Sequence, residues 1–129
     1  MPLEVQLVSP ERILFSGDAD MVVTRTLDGE VAFLAGHAPF IGALAEHVAR
    51  VHLADGTVQR VAVHGGFVEV SANRCTLLSD VAELPEHVDL ERARRARERA
   101  EARLREGDDA EAEAALRRAM VRIEVAESR

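Results

Sequence analysis

The chain of 129 residues contains no lysine, no tryptophan, no tyrosine and a single cysteine. Without lysine there is no ammonium for a phosphate loop, no Schiff base and no lysine general base. All 16 basic residues are arginine, a usage that genomic base composition alone would also produce. Cys75 has no second cysteine with which to close an internal disulfide. The only aromatics are Phe15, Phe33, Phe40 and Phe67, so the core falls to Val, Leu and Ala, and little surface is left for base stacking. A nucleic-acid partner is not expected, because a formal net charge of -7 repels a phosphate backbone. No apolar run approaches the roughly 20 residues of a membrane span, and no segment has the shape of a signal peptide. These features predict a soluble, cytoplasmic chain with no direct membrane insertion.

What is present changes character at Pro85. Residues 1–85 hold seven of the eight glycines and carry 5 Arg against 11 acids; residues 86–129 carry 11 Arg against 12 acids and one glycine. The first part alternates apolar and polar residues, and the second is built from Ala, Arg, Glu, Asp and Leu. Two domains are expected, a β-sandwich over 1–85 and a two-helix unit over 86–129.

In the first part, residues 3–8 alternate with period two, Ser9 and Pro10 interrupt, and residues 12–15 lead to a turn at Ser16, Gly17 and Asp18. Residues 19–26 and 30–34 follow around Asp28 and Gly29, giving four strands by residue 35. Asp55 and Gly56 separate two further apolar alternations. A two-residue loop would pair Val51 with Arg60, whereas an odd loop with Gly56 in a left-handed bulge puts Ala49, Val51 and Leu53 on one face with Val61 and Val63; the odd loop suits the pattern better. Gly65 and Gly66 end that strand in this reading, and residues 67–70 and 75–78 form another hairpin. Eight or more short strands, about ten in all, with no helix between them predict an antiparallel sandwich or flattened barrel.

Beyond Pro85, Leu90, Ala93, Ala96, Ala100 and Leu104 mark one helical stripe, and Ala112, Ala115, Leu116, Ala119, Met120 and Ile123 mark a second. Gly107 breaks the two, and Asp108 or Asp109 can cap the second helix. A helical hairpin with an alanine seam buries little apolar area per residue, and helices of this length are marginal alone. It needs a surface to rest on.

Three constellations carry chemistry. His47 faces away from His52 and His64, and Cys75 lies on another hairpin, so the histidines read as strand residues rather than a zinc site. The serines fall at turns or ends, where capping accounts for them. Leu34, Ala35, Gly36, His37, Ala38, Pro39 and Phe40 follow a strand directly, and stand either as a shaped, exposed loop or as a plain corner turn. In the tail, Arg118 and Arg122 share a helical face, and a folded hairpin brings them towards Arg92 and Arg99, with Glu83 and Asp89 near the seam. Such a cluster either surrounds a polyphosphate or forms the solvated face of a charged helix.

In order and spacing these segments resemble the epsilon subunit of F-type ATP synthases across nearly the whole chain. The resemblance is carried by Val8, Ser9, Pro10, Glu11 and Arg12 with Phe15, Ser16 and Gly17; by Gly29, Glu30 and Val31 leading to Gly36, His37, Ala38 and Pro39; by the block from Gly65 to Val70 with Asn73 and residues 76–78; by Ala82 and Glu83; and by Arg118, Ala119, Met120 and Arg122. It implies a non-catalytic rotor subunit of a proton-translocating synthase, peripheral on the cytoplasmic face of the cell membrane. The expected partners are the gamma subunit and the membrane c-ring, joined by the alpha and beta subunits when the helices extend and restrain ATP hydrolysis. Glu30 and His37 would then face the rotor. Some bacterial members bind ATP through an Ile/Leu-Asp-x-x-Arg-Ala pattern, reproduced here by Asp89, Arg92 and Ala93 with Val88 as a conservative change in the first place, and with Glu83, Arg99, Arg118 and Arg122 at the accompanying positions. ATP is therefore expected as a regulatory ligand, with no cofactor required. A free-standing ATP-binding sensor is the competing reading.

Overall fold

The computed structural model describes residues 2–128. Seven strands run in chain order, β1 (Leu3–Val8), β2 (Ile13–Thr26), β3 (Gly29–Leu34), β4 (Phe40–Leu53), β5 (Val58–Ser71), β6 (Arg74–Leu78) and β7 (Ala82–Glu83). A 3-10 turn at Pro85–His87 leads to helices α1 (Leu90–Arg105) and α2 (Ala110–Glu127). The strand order β1-β6-β5-β4-β2 closes on itself through the β1–β2 pairing, with β3 added to β2 and β7 to β5. A closed ring leaves few strand edges to protect, which suits a short acidic chain.

The sandwich followed by a helical hairpin is as expected, but the strands are fewer and longer than the sequence suggested. By residue 35 the chain has formed three strands rather than four, because Ser16, Gly17 and Asp18 lie inside β2, with Gly17 opposite Val5. A side chain at Gly17 would lie against the Phe15 ring and Leu53, so the glycine gives room for packing within a strand rather than a turn. Likewise β5 continues through Gly65 and Gly66, pairing Gly66 with Leu44 and His64 with Glu46. A Cβ on Gly66 would stand 2.0 Å from the Leu78 carbonyl oxygen, and its φ of 117° already favours glycine. The glycines that looked like punctuation instead let long strands bend around the barrel. The pairing is also not wholly antiparallel, since β1 runs parallel to β6 with Val5 opposite Cys75 and Leu7 opposite Leu77.

The hairpin register is the odd one. Ala49 pairs with Val61 and Val51 with Gln59, Gly56 has φ 91°, and the Leu53 amide donates to the Thr57 carbonyl at 2.8 Å. Ala49, Val51, Val61 and Val63 consequently all face the core, beside Leu3, Val5, Leu7, Phe33, Val68 and Leu77. Cys75 is fully buried there, and burial pushes its thiol up to about 12, which removes thiolate chemistry at neutral pH.

Asp89 caps α1 by accepting from the Arg92 amide at 3.1 Å, and Asp109 caps α2 by accepting from the Ala112 amide at 3.0 Å. Ala93 and Ala100 of α1 are buried against α2, whose Ala112 and Ala119 are also buried. The second stripe is wider than its alanines implied. Val121, Val125 and Ala126 pack with Ala62 of β5 and Val88, bordered by Val48 and Leu90, and so seat α2 on the sandwich. Met120 is the correction: it is 55% exposed, because α2 turns its apolar side both to α1 and to the sheet and leaves that residue on the outer face.

Candidate functional site

The groove between α1 and α2, closed at one end by Glu83, His87 and Asp89, forms a cleft of about 490 Å³. The chain makes it by alternating small and long residues. Ala93, Ala96 and Ala100 of α1 face Ala115 and Ala119 of α2 and form its floor, while arginines at one- and two-turn spacings form its walls. Arg92, Arg99 and Arg103 come from α1, Arg118 and Arg122 from α2, Glu83 from β7, His87 from the 3-10 turn and Asp89 from the α1 cap.

Thus Glu83, Asp89, Arg92, Ala93, Arg99, Arg118 and Arg122, singled out from the sequence, all line one cleft. Val88 does not; it is buried beneath, among Ala62, Val121, Val125 and Ala126. Two lining residues escaped the sequence reading. Arg103 follows Arg99 by four residues, a spacing that would have revealed it, whereas no sequence signal distinguishes His87.

The charges in the cleft are unevenly paired. Arg122 Nε donates to Glu83 Oε1 at 2.6 Å, and Arg103 pairs with Asp109 at 2.8 Å. Glu83 also accepts from His64 Nε2 at 3.0 Å; that hydrogen bond, with the Arg122 guanidinium, holds its carboxyl at about 2 despite partial burial. Asp89 is engaged by its cap. The guanidinium groups of Arg92, Arg99 and Arg118 have no ion-pair partner among the described residues. Three adjacent uncompensated cations on an acidic chain repel one another and favour an anion bearing several charges, held by bidentate hydrogen bonds.

Glu30 and His37 stand apart from this cleft and from each other, Glu30 near the start of β3 and His37 in the turn that follows the strand. Glu30 is exposed and pairs with Arg25 at 3.9 Å and Arg50 at 3.8 Å, both across the surface where screening is strong. His37 lies in a shaped turn: its amide donates to the Leu34 carbonyl, Gly36 takes φ 83°, and the Gly36 amide donates to Asn73 Oδ1 at 2.6 Å. The His37 ring packs edge-on to Phe33 with centroids 4.8 Å apart, and Nδ1 donates to the Ala38 carbonyl, leaving Nε2 free of any bond within the loop.

His47 is different in kind. Its Nδ1 donates to the Ala45 carbonyl at 2.9 Å and its Nε2 lies 2.5 Å from the Thr24 hydroxyl. Burial, partly offset by the Ala45 bond, lowers its proton affinity, so the ring is a neutral core group.

Two family profiles cover the chain between them. The ATP synthase delta/epsilon chain beta-sandwich domain matches residues 2–85, and the delta/epsilon chain long alpha-helix domain matches residues 86–127. Similar whole chains include the ATP synthase epsilon chain of Symbiobacterium thermophilum, 49% identical over 129 residues covering 96% of this chain and 92% of that one. The ATP synthase epsilon chain of Halalkalibacterium halodurans is 45% identical, with 96% of each covered. Among solved structures, a chain of the mitochondrial ATP synthase of Euglena gracilis superposes with a TM-score of 0.72 at 23% identity, covering 98% of this chain and 79% of that one. At that identity the likeness concerns the fold.

Proposed function

The chain belongs to the delta/epsilon family of ATP synthase subunits, as an epsilon chain, and from that premise we propose that it is a non-catalytic rotor subunit whose helical hairpin is held down by ATP. The sandwich joins the gamma subunit to the membrane c-ring, on the cytoplasmic face of the membrane. Ile41, Phe67 and Leu78, exposed on neighbouring strands, offer gamma an apolar face, while Glu30 and the His37 loop offer polar contacts to the rotor. When the hairpin leaves the sandwich it reaches the alpha and beta subunits and restrains hydrolysis.

The observation that carries the ATP reading is the cleft with three unpaired guanidinium groups, Arg92, Arg99 and Arg118, over an alanine floor. Its volume of about 490 Å³ lies within the roughly 300–1,000 Å³ of small-molecule sites. The arginines hold the phosphates, and Asp89 and Glu83 at the seam accept hydrogen bonds from the base or ribose. Because the cleft exists only while the helices are folded together, ATP stabilises that state by RT ln(1 + [ATP]/Kd), about 2.7 kcal/mol at a hundredfold excess over Kd. Seating α2 rests on a small apolar cluster, so a contribution of that size can decide its position.

Calorimetry of the full chain with ATP tests this directly. Heat of binding is expected for wild type and a loss of tenfold or more in affinity, about 1.4 kcal/mol, for Arg99→Ala and for Arg122→Ala. Absence of heat at millimolar ATP removes the sensor. Failure to co-purify with gamma under gentle extraction removes the rotor role and leaves a free-standing sensor.

A further inference from the structure

Residues 35–39 join β3 to β4, and four of them, Ala35, Gly36, Ala38 and Pro39, are exposed. Inside this loop the His37 amide donates to the Leu34 carbonyl at 3.1 Å, and Nδ1 donates to the Ala38 carbonyl at 2.6 Å. Among the described residues, one hydrogen bond ties the stretch to a segment distant in the chain: the Gly36 amide donates to Asn73 Oδ1 at 2.6 Å. An N–H needs an acceptor, so the carboxamide oxygen of Asn73 faces Gly36 and its NH2 is turned away. Ala72 and Asn73 are the two central residues of the β5–β6 hairpin, beyond the Ser71–Arg74 pair, and take φ 51° and 60°. Two left-handed residues suit a tight hairpin, and Asn is among the few side chains that tolerate the position. The Asn73 carbonyl also accepts from the Glu4 amide of β1 at 2.8 Å. Asn73 is thus held by its hairpin and by β1 through its backbone, and holds the loop through its side chain.

We propose that Asn73 is a positioning residue for docking on the gamma subunit, fixing the backbone of the His37 loop at the border of the apolar face. This role presupposes that the loop meets gamma, as part of the rotor contact proposed above. The loop runs straight into β4, where Ile41 is 71% exposed and stands diagonally across from Phe67 of β5, itself 57% exposed. His37 lies four residues before Ile41, so a partner seated on that face borders the loop. The His37 ring is already placed, edge-on to Phe33 and to Phe40 with centroids 4.8 Å and 6.4 Å away. What the rings leave unfixed is the backbone at Gly36, which has φ 83° and open space where a side chain would stand. Glycine has the most conformations to lose, and the Asn73 bond removes them before docking rather than during it. The hairpin turn by itself does not require Asn, since glycine serves a left-handed position equally well but brings no carboxamide.

The test is the affinity of the full chain for the gamma subunit of the same synthase, together with amide exchange of the chain alone. Asn73→Gly keeps the turn and removes the carboxamide; Asn73→Asp keeps an acceptor for Gly36, and high salt screens its added charge. In Asn73→Gly, exchange at Gly36 is expected to rise about threefold or more and gamma affinity to fall about three- to tenfold, with Asn73→Asp restoring both to within about twofold of wild type. His37→Ala should weaken gamma binding, and adding Asn73→Gly to it should cost little more, because the loop then has no ring to present. Unchanged affinity in Asn73→Gly while Gly36 exchanges faster overturns the positioning role and leaves the loop as a gamma contact. Asn73→Asp that protects Gly36 without restoring affinity also overturns it, since the carboxamide NH2 then touches gamma directly. Unchanged affinity in His37→Ala removes the loop from the interface and the positioning role with it. Wild-type NMR gives a check free of any variant's folding: coupling across the bond, from the Gly36 nitrogen to the Asn73 carboxamide carbon, is expected, and its absence overturns the role.

Discussion

Phe33, Leu3, Leu7 and Leu77 fill the sandwich, fully or almost fully buried, whereas the seam between the helices is made of Ala93, Ala100, Ala112 and Ala119. Large side chains in a closed ring lose much apolar surface to water and hold one geometry; alanines meet closely but contribute little per residue. What attaches the hairpin to the sandwich is Val121, Val125 and Ala126 on Ala62 and Val88, with the Glu83–Arg122 ion pair beside them. One chain therefore joins a closed sandwich to a part whose seat is shallow, and the arginine-lined cleft opens beside that join. A ligand placed there touches Arg122, the residue that pairs the hairpin with the sandwich.

The largest expected effect comes from damaging the rigid part. In Gly66→Ala the new Cβ meets the Leu78 carbonyl at 2.0 Å and the backbone cannot keep its φ of 117° without strain. Chemical denaturation should show a loss of about 3 kcal/mol or more in a single transition that takes the hairpin down as well. If only the helices melted, the sandwich would not be the scaffold.

Next is the seat. Val125→Ala deletes two methyl groups from a fully buried site and should cost about 2 kcal/mol, felt as release of α2 rather than as unfolding of the sheet. Amide exchange checks this: the helices should exchange faster while β4 and β5 stay protected. Equal acceleration in both parts would erase the distinction between them.

Smaller effects follow from pH. The folded carboxyl of Glu83 lies at about 2, below its ordinary value, so the unfolded chain binds the proton first and the ion pair's contribution is present above about pH 4.5 and lost as pH falls towards 2. For buried His47 the folded ring is the weaker base, so its neutral form contributes stability that is lost as pH falls below about 6.5. Stability measured against pH should therefore fall in two steps on acidification, and Glu83→Gln should flatten the lower one while leaving the upper unchanged.

Much of this was legible in the residues. Alternation gave the strands, and requiring Val51 and Val61 on one face fixed the register around Gly56. Helical spacing and capping are local rules and pointed to Asp89 and the four arginines, while Ala93 came from the family pattern and Glu83 from its place beside Pro85. Long-range packing was not legible. Gly17, Gly65 and Gly66 have the composition of turns but sit in strands, since closing a ring needs bends that only the assembled sheet defines. The β1–β6 pairing joins segments some 70 residues apart, a separation that no local pattern records. Nor could Val121 and Val125 be assigned to the sheet, or His64 to two glutamates, before the helix was laid on the strands.

The central claim is that the hairpin is a movable part that ATP fixes on a stationary sandwich. Spin labels at Glu11→Cys on the sandwich and Glu106→Cys beyond α1 report it, since Cys75 is buried and escapes labelling. Pulsed distance measurements on the full chain should give a broad or two-peaked distribution without ATP that narrows to the short, folded distance at saturating ATP. A single distance unchanged by ATP, in a chain that calorimetry shows to bind it, would contradict the account.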